Sequence, residues 1–276
     1  MNMKSEKRLE LILAVVVSIA LVLLLIVPPF WMLLTSLKSG RDVFAIPPVL
    51  KFRPSLENYA AVFKRPGLSQ IVGNTLIVAT ISTICTQVFG TMAAYSMARF
   101  RTGGKPLMYT TLVLRVIPPV VLGLPFFILY TRLGLADTIP GLILAYIAFL
   151  LPNTIWLLMA FFHDIPISIE EAALVDGCSK FGAFCRVVIP MALPGIAVTS
   201  IYNAMGAWNH FYYALILGPS HARVLSVEAS QFVGEYVVQW GEVSAIGSLL
   251  ILPPVIVVFF LQRYLVKGLT LGGVKG

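Results

Sequence analysis

Residues 170–186 read Glu-Glu-Ala-Ala-Leu-Val-Asp-Gly-Cys-Ser-Lys-Phe-Gly-Ala-Phe-Cys-Arg and lie between two long apolar runs, one at about 138–162 and one that begins near Val187. The stretch carries three carboxylates, Glu170, Glu171 and Asp176, and two cations, Lys180 and Arg186. The flanking runs reach the ~20 residues that a helix needs to cross a bilayer. An ionised side chain at the middle of such a helix costs at least ~2.5 kcal/mol. The charged stretch is therefore a connector outside the hydrocarbon, and the chain is read as an all-α membrane protein.

Composition points the same way. Of 276 residues, 58% are hydrophobic and 12% charged, about half the charge of an ordinary soluble domain. A net charge of +8 would suit a nucleic-acid partner in a soluble protein. Here the basic residues sit in short loops between apolar runs, where they act as topology signals. Cys85, Cys178 and Cys185 are odd in number and fit no zinc spacing. Cys178 and Cys185, seven apart, would share a helix face and read as small packing residues. Lys4, Lys7 and Arg8 precede an uncharged run from Leu11 to Leu37. That run is too long for the core of a cleaved signal peptide and ends in no small-residue cleavage site, so it is expected to stay as an anchor.

Six segments qualify as spans: 11–36, one within 66–98, 106–130 interrupted by Arg115, 138–162, Val187 to Leu217, and 243–262. An even count puts both termini on one side. That side has 11 basic residues: Lys4, Lys7, Arg8, Arg99, Arg101, Lys105, Lys180, Arg186, Arg263, Lys267 and Lys275. The other has 8, of which Lys38, Arg41, Lys51, Arg53, Lys64 and Arg65 share one long loop, leaving Arg132 and Arg223 in the others. The bias predicts cytoplasmic termini. The expected organisation is a cytoplasmic tail (1–10), a first transmembrane helix (11–37), a periplasmic loop (38–69), a five-helix core (70–265) with a cytoplasmic loop at 163–190, and a cytoplasmic tail (266–276). Pro28-Pro29, Pro118-Pro119, Pro125, Pro190, Pro194 and Pro253-Pro254 fall in the spans. Each removes a helix hydrogen bond, and such breaks persist where neighbouring helices or a water-filled cavity satisfy the freed carbonyls. They favour a transporter or channel over a simple anchor.

Within the connector, Ser168-Ile169-Glu170-Glu171 follows Pro166 and matches the S-x-x-E capping box. This predicts a short helix from about Ile169, ended by Gly177 in a left-handed conformation, and a second short helix from about Ser179. Leu174, Cys178, Phe181, Cys185 and Val188 recur at spacings of 4, 3, 4 and 3. They predict an apolar stripe across both pieces, with Asp176, Lys180 and Ala183 off it. The resulting knob is either a well-capped solvated connector or a docking element for a cytoplasmic partner. Residue chemistry alone leaves both open.

The run Glu171-Ala172-Ala173-x3-Gly177-x9-Val187-Val188-Ile189-Pro190 resembles the EAA signature, EAA-x3-G-x9-I-x-L-P, of permease subunits in binding-protein-dependent ABC importers. Only the two aliphatic positions are changed. Glu57-Asn58-Tyr59, Gly134-Leu135 with Asp137-Thr138, Asp164-Ile165-Pro166, Trp208-Asn209, Gly268-Leu269-Thr270 and Gly272 to Gly276 resemble the carbohydrate branch, of the maltose-transporter second-permease type. The resemblance implies six transmembrane helices with the EAA coupling loop between spans 4 and 5, in a bacterial or archaeal inner membrane. It implies an extracytoplasmic sugar-binding protein, a second permease, itself a different chain, and a dimer of P-loop ATPases holding ATP and magnesium. By the same resemblance the ATPase meets Glu171, Ala172, Ala173, Asp176, Gly177, Phe181 and Pro190 in the loop, and Gly272, Gly273 and Lys275 in the tail. The chain departs from the family pattern at His210, where an acidic residue often follows Trp-Asn, and at Arg115 inside a span. His210 reads as an interface histidine near a helix end. Arg115 either lines a polar cavity or pairs with a neighbouring subunit.

No enzyme motif is present. There is no G-x4-G-K-[ST] run, since Gly103-Gly104-Lys105 lacks the upstream glycine and the following hydroxyl. His163, His210 and His221 make no metal pattern, so neither a cofactor nor a catalytic residue is expected on this chain. Asn74, Gln87, Arg115, Asn153, Asn203 and Asn209, with Trp156, Tyr202 and Trp208, are either lining for a sugar pathway or glue between packed helices. An ion-coupled secondary transporter, the alternative, would place carboxylates inside the membrane. All twelve Asp and Glu residues fall outside the span cores.

Overall fold

The computed structural model describes the backbone of residues 3–232 and 238–273 and the side chains of residues 10–232 and 238–260. Among the described residues, five helical stretches are long and apolar enough to cross a membrane. They are Glu10–Ser36 of α1 (Met3–Ser36), α4 (Leu68–Phe100), α7 (Ile139–Asp164), the continuous run Lys180–Trp208, and Trp240–Phe260 of α13 (Trp240–Gly273). Two shorter helices, α5 (Gly104–Val116) and α6 (Pro119–Arg132), pass the same test only as a pair and meet at 101°.

The expected third span, 106–130, is thus a sharply bent helix pair rather than a single helix. The cause is local. Ile117 precedes a proline and is pushed out of the helical region (φ −64°, ψ 121°). Pro118 is also extended, and Pro119 then opens α6 at its first position, where a missing N–H costs nothing. Arg115 belongs to the last turn of α5 and is exposed. Its charge stands at the negative end of a helix dipole rather than inside a continuous helix. The fifth span also ends earlier than expected, at Trp208. A break at Asn209 to Phe211 separates α10 (Ile189–Trp208) from the short α11 (Tyr212–Leu217). Pro28-Pro29, Pro152, Pro194 and Pro253-Pro254 lie within helices that continue past them.

The chain divides into two compact units. In the first, Met1–Leu68 with Ala229–Ile251, the Glu57-Asn58-Tyr59 motif closes the end of α1. The Asn58 amide donates to Ser36 O (2.9 Å), a carbonyl that the helix end leaves free, and to Lys38 O (2.7 Å) just past it, and Tyr59 OH lies 2.8 Å from Ser36 Oγ. Arg65 pairs with Glu242 at 3.1 Å.

The second unit, Ser69–Glu228 with Leu252–Gly276, carries the connector. Here α4 and α7 cross closely at a glycine: a Cβ on Gly90 would lie 2.7 Å from Thr154 Cγ2. At one end, Asp137 (φ +56°) accepts N–H bonds from Ser220 (3.0 Å), His221 (2.9 Å) and Ala222 (3.1 Å). Asn74 donates to the carbonyls of His221 and Arg223, each at 3.0 Å. Thr138 caps α7 through Gly141 N. At the other end lies the knob.

Candidate functional site

The knob consists of α8 (Ile167–Val175) and α9 (Lys180–Ala183), the latter running through a π turn (Phe184–Val188) into α10. The expected capping box does not form. Pro166 is the N-cap, Ile167 already opens the helix, and Ser168 therefore has a helical backbone with its hydroxyl unable to cap. The helix ends as expected. Gly177 takes φ +87°, Cys178 N–H donates to Ala173 O (3.0 Å), and Gly177 N–H donates to Leu174 O (3.1 Å), the paired bonds of a Schellman cap. Ser179 caps α9 through Gly182 N at 3.1 Å.

The apolar stripe drawn across both pieces is not continuous, because Cys178 and Ser179 are non-helical and reset the helical phase. For the same reason Cys178 and Cys185 share no helix face. The residues that turn inward are Glu170, Ala173, Ala183, Phe184 and Val188. Ala183, expected off the stripe, is buried. Leu174, Val175 (88% exposed) and Phe181 (68% exposed) face outward.

Glu170 is the residue that the sequence did not single out. The Arg99 Nε donates to one of its oxygens, Tyr95 OH donates to the other at 2.9 Å, and Arg99 Nη2 donates to Ile165 O at 2.8 Å. The two charged side chains are 6% and 11% exposed. Tyr95 also packs against Phe100, Phe162 and Phe184. A buried ion pair inside an aromatic cluster thus fastens the knob to the end of α4. The available signal was slight: Glu170 and Ala173 stand three apart and share a face. The Arg99 partner is 71 positions away and leaves no local trace.

Glu171, Ala172, Asp176 and Gly177 are exposed, as is Pro190, whereas Ala173 is buried. The knob therefore offers carboxylates and apolar side chains together on its outer side. Gly272 and Gly273 are the last residues of α13, and Lys275 lies outside the described residues.

A family model described as the binding-protein-dependent transport system inner membrane component matches residues 87–271. The chain belongs to this permease family. It is 35% identical over 258 residues to the trehalose transport system permease protein SugB of Mycobacterium tuberculosis, covering 91% of this chain and 93% of that one. It is 30% identical over 276 residues to the trehalose/maltose transport system permease protein MalG of Thermococcus litoralis, covering 98% and 99%. A crystal structure of a bacterial ABC transporter involved in the import of alginate matches with a TM-score of 0.78 over 96% of this chain and 99% of that one. At 22% identity that match shows the shared fold.

The polar residues of the permease spans sort into distinct settings. Asn203 is fully buried and joins three helices: it accepts from Thr154 Oγ1 of α7 (2.9 Å) and donates to Gln87 of α4 (3.3 Å). Gln87 in turn exchanges bonds with Thr199 of α10 at 3.0 and 3.1 Å. Trp156 Nε1 bonds Thr111 at 3.1 Å, joining α7 to α5. Asn153 is half-buried, Trp208 is buried, and Asn209 is exposed and bonds Met205 O. His210 sits in the helix break with its ring against Tyr146, Phe149 and Tyr213. Among the described residues no cluster is placed to hold a metal ion.

Proposed function

We propose that this permease forms half of the translocation pathway for a sugar or related polyol and is driven by separate ATPase subunits that dock on the α8–α9 knob. The observation that carries the reading is the two-faced knob. Its inner side is locked to α4 through Glu170 and Arg99, while Phe181, Val175 and Glu171 stand free on the outer side. An apolar surface beside carboxylates is what a protein partner would cover. In this reading the termini and the knob are cytoplasmic, as the basic residues favour. The ATPase contact is drawn from Glu171, Ala172, Asp176, Gly177 and Phe181, and from Gly272, Gly273 and Lys275 of the C-terminal segment. ATP and magnesium stay with the partner.

The sugar class follows from relatives named for trehalose and maltose. A binding protein delivers the ligand and a second permease supplies the other half of the path. Arg115, Asn153, Trp208 and Asn209 are the proposed lining, and Asn203 holds the helices around it. Closure of the ATPases moves the knobs, and the knobs move the spans. Ligand and nucleotide act through their differing affinity for the two states.

Glu171→Lys tests the docking role. The variant is expected to insert and fold normally but to lose the ATPase on mild-detergent co-purification and to lose ATP-driven uptake. Retention of the ATPase together with normal uptake would refute it.

A further inference from the structure

We propose that a cavity at the base of the knob binds the phosphate of an anionic phospholipid. The cavity, about 920 Å³, is bounded by the end of α4, the start of α5, the end of α7 and the first residues of α8. Arg101, Lys105 and His163 line its wall, and Met97, Met108 and Met159 line it too, each three or four positions along the chain from one of the basic residues.

Charge is the first argument. Arg99 also reaches this wall, but its guanidinium is already engaged by Glu170 and Ile165. Among the described residues, Arg101 and Lys105 have no carboxylate within 4 Å and no acidic side chain lines the cavity. The positive end of α5 adds to this. Gly104 and Lys105, its first two residues, line the space. Gly104 N–H is taken by Arg101 O (2.9 Å) and Pro106 has no N–H, so the helix start contributes through its dipole and the Lys105 N–H.

The apolar part of the wall decides what carries the anion. Three methionines are flexible and apolar and accommodate irregular hydrocarbon. Free phosphate has no use for such a wall, whereas a glycerophospholipid carries a phosphate and an apolar tail together. The location fits as well. The lining comes from the last turns of two spans, α4 and α7, and the first turn of α5, which is the depth of the headgroups. Basic pockets between transmembrane helices are a recurring form of headgroup site. Pro166 and Ile167 form part of the wall, so an occupant would press on the start of α8 and bias the position of the knob.

The test is native mass spectrometry of the chain with its co-assembled subunits, released from phosphatidylcholine nanodiscs containing dioleoyl phosphatidylglycerol. The wild type is expected to retain phosphatidylglycerol in preference to phosphatidylcholine. Arg101→Gln with Lys105→Gln should weaken that retention about 30-fold, the effect of two juxtamembrane cations. Lys105→Gln alone, expected to cost about fivefold, serves if the double variant does not assemble. Equal retention by wild type and variants, or no preference for phosphatidylglycerol, would overturn the proposal. Displacement of the lipid by millimolar inorganic phosphate would also overturn it, by showing a site for free phosphate.

Discussion

Glu170→Ala is expected to unlatch the knob from α4. The substitution removes the carboxylate that compensates a guanidinium 6% exposed. It also leaves the Tyr95 hydroxyl without its acceptor. Deleting one member of a buried ion pair costs about 3–5 kcal/mol. The stranded hydroxyl would by itself cost about 1–3 kcal/mol, but it belongs to the same network, so the two figures overlap and the total stays near ~3–5 kcal/mol. Against a total stability of ~5–15 kcal/mol, that is a large fraction. Glu171, the next residue, is exposed, and Glu171→Ala should change stability by no more than ~0.5 kcal/mol. The assay is denaturant unfolding of the detergent-solubilised chain, run on both variants and on Arg99→Met combined with Glu170→Met. The double variant leaves no unpaired charge and should be more stable than Glu170→Ala, though below wild type because Tyr95 OH and Ile165 O lose partners. Equal stabilities for Glu170→Ala and Glu171→Ala would refute the anchoring role. A double variant weaker than Glu170→Ala would refute the reasoning about the unpaired charge.

Three further outcomes are expected. Gly177→Ala meets no atom within 4 Å of the new Cβ, yet sits at φ +87°. It should therefore cost about 1–2 kcal/mol through backbone strain alone, and a neutral result in the same unfolding assay would contradict the assigned cap. Gly90→Ala would push its Cβ to 2.7 Å from Thr154 Cγ2 and should destabilise by about 1–3 kcal/mol through overpacking. A thermal midpoint matching wild type would mean that α4 and α7 approach less closely. At Asp137, burial alone would raise the carboxyl, but the backbone N–H groups of His221, Ser220 and Ala222 outweigh it and hold the group below its ordinary value. Its contribution is then fully present above the unfolded value of about 3.9 and is lost as pH falls through the lower folded value. Asp137→Asn should flatten that acid limb of thermal stability, and an unchanged limb would assign the pH dependence elsewhere.

What could be read in the sequence was whatever is set by neighbours along the chain. The apolar runs gave the spans, Gly177 gave the turn, and Ser179 gave the start of α9, each a matter of a few adjacent residues. The start of α8 was misplaced because two local signals competed. A helix already begun at Ile167, behind Pro166, leaves Ser168 no non-helical backbone from which to cap. The stripe failed because its periodicity was carried through Cys178, where the chain is not helical. Pro118-Pro119 was visible as a break, but its 101° consequence depends on two extended residues in succession. The pairs Glu170–Arg99, Asp137 with residues 220–222, and Gln87–Asn203 span 71 to 116 positions. Polar residues could be noticed there, but their partners could not.

The adjacency of Glu170 and Glu171 follows from helix geometry. Successive residues on an α-helix are turned by ~100°, so a nine-residue helix can present one carboxylate inward and the next outward. In α8, positions 170 and 173 are buried while 171, 174 and 175 are exposed. A partner gripping the outer side can move the spans only if the inner side does not yield. A solvated connector would bend at its base instead. The inward carboxylate prevents this by bonding two residues of α4, Tyr95 and Arg99, while Phe184 of the π turn packs on Tyr95 at 4.5 Å. A push on the knob thus reaches α4 directly and α10 through continuous helix. Loosening the inner contact while keeping Glu171 should therefore impair transport even where the partner still binds. Glu170→Gln, which removes the charge but preserves the shape, is expected to retain the co-purifying ATPase while uptake per ATP hydrolysed falls. Undiminished uptake per ATP would show that the anchor serves stability alone.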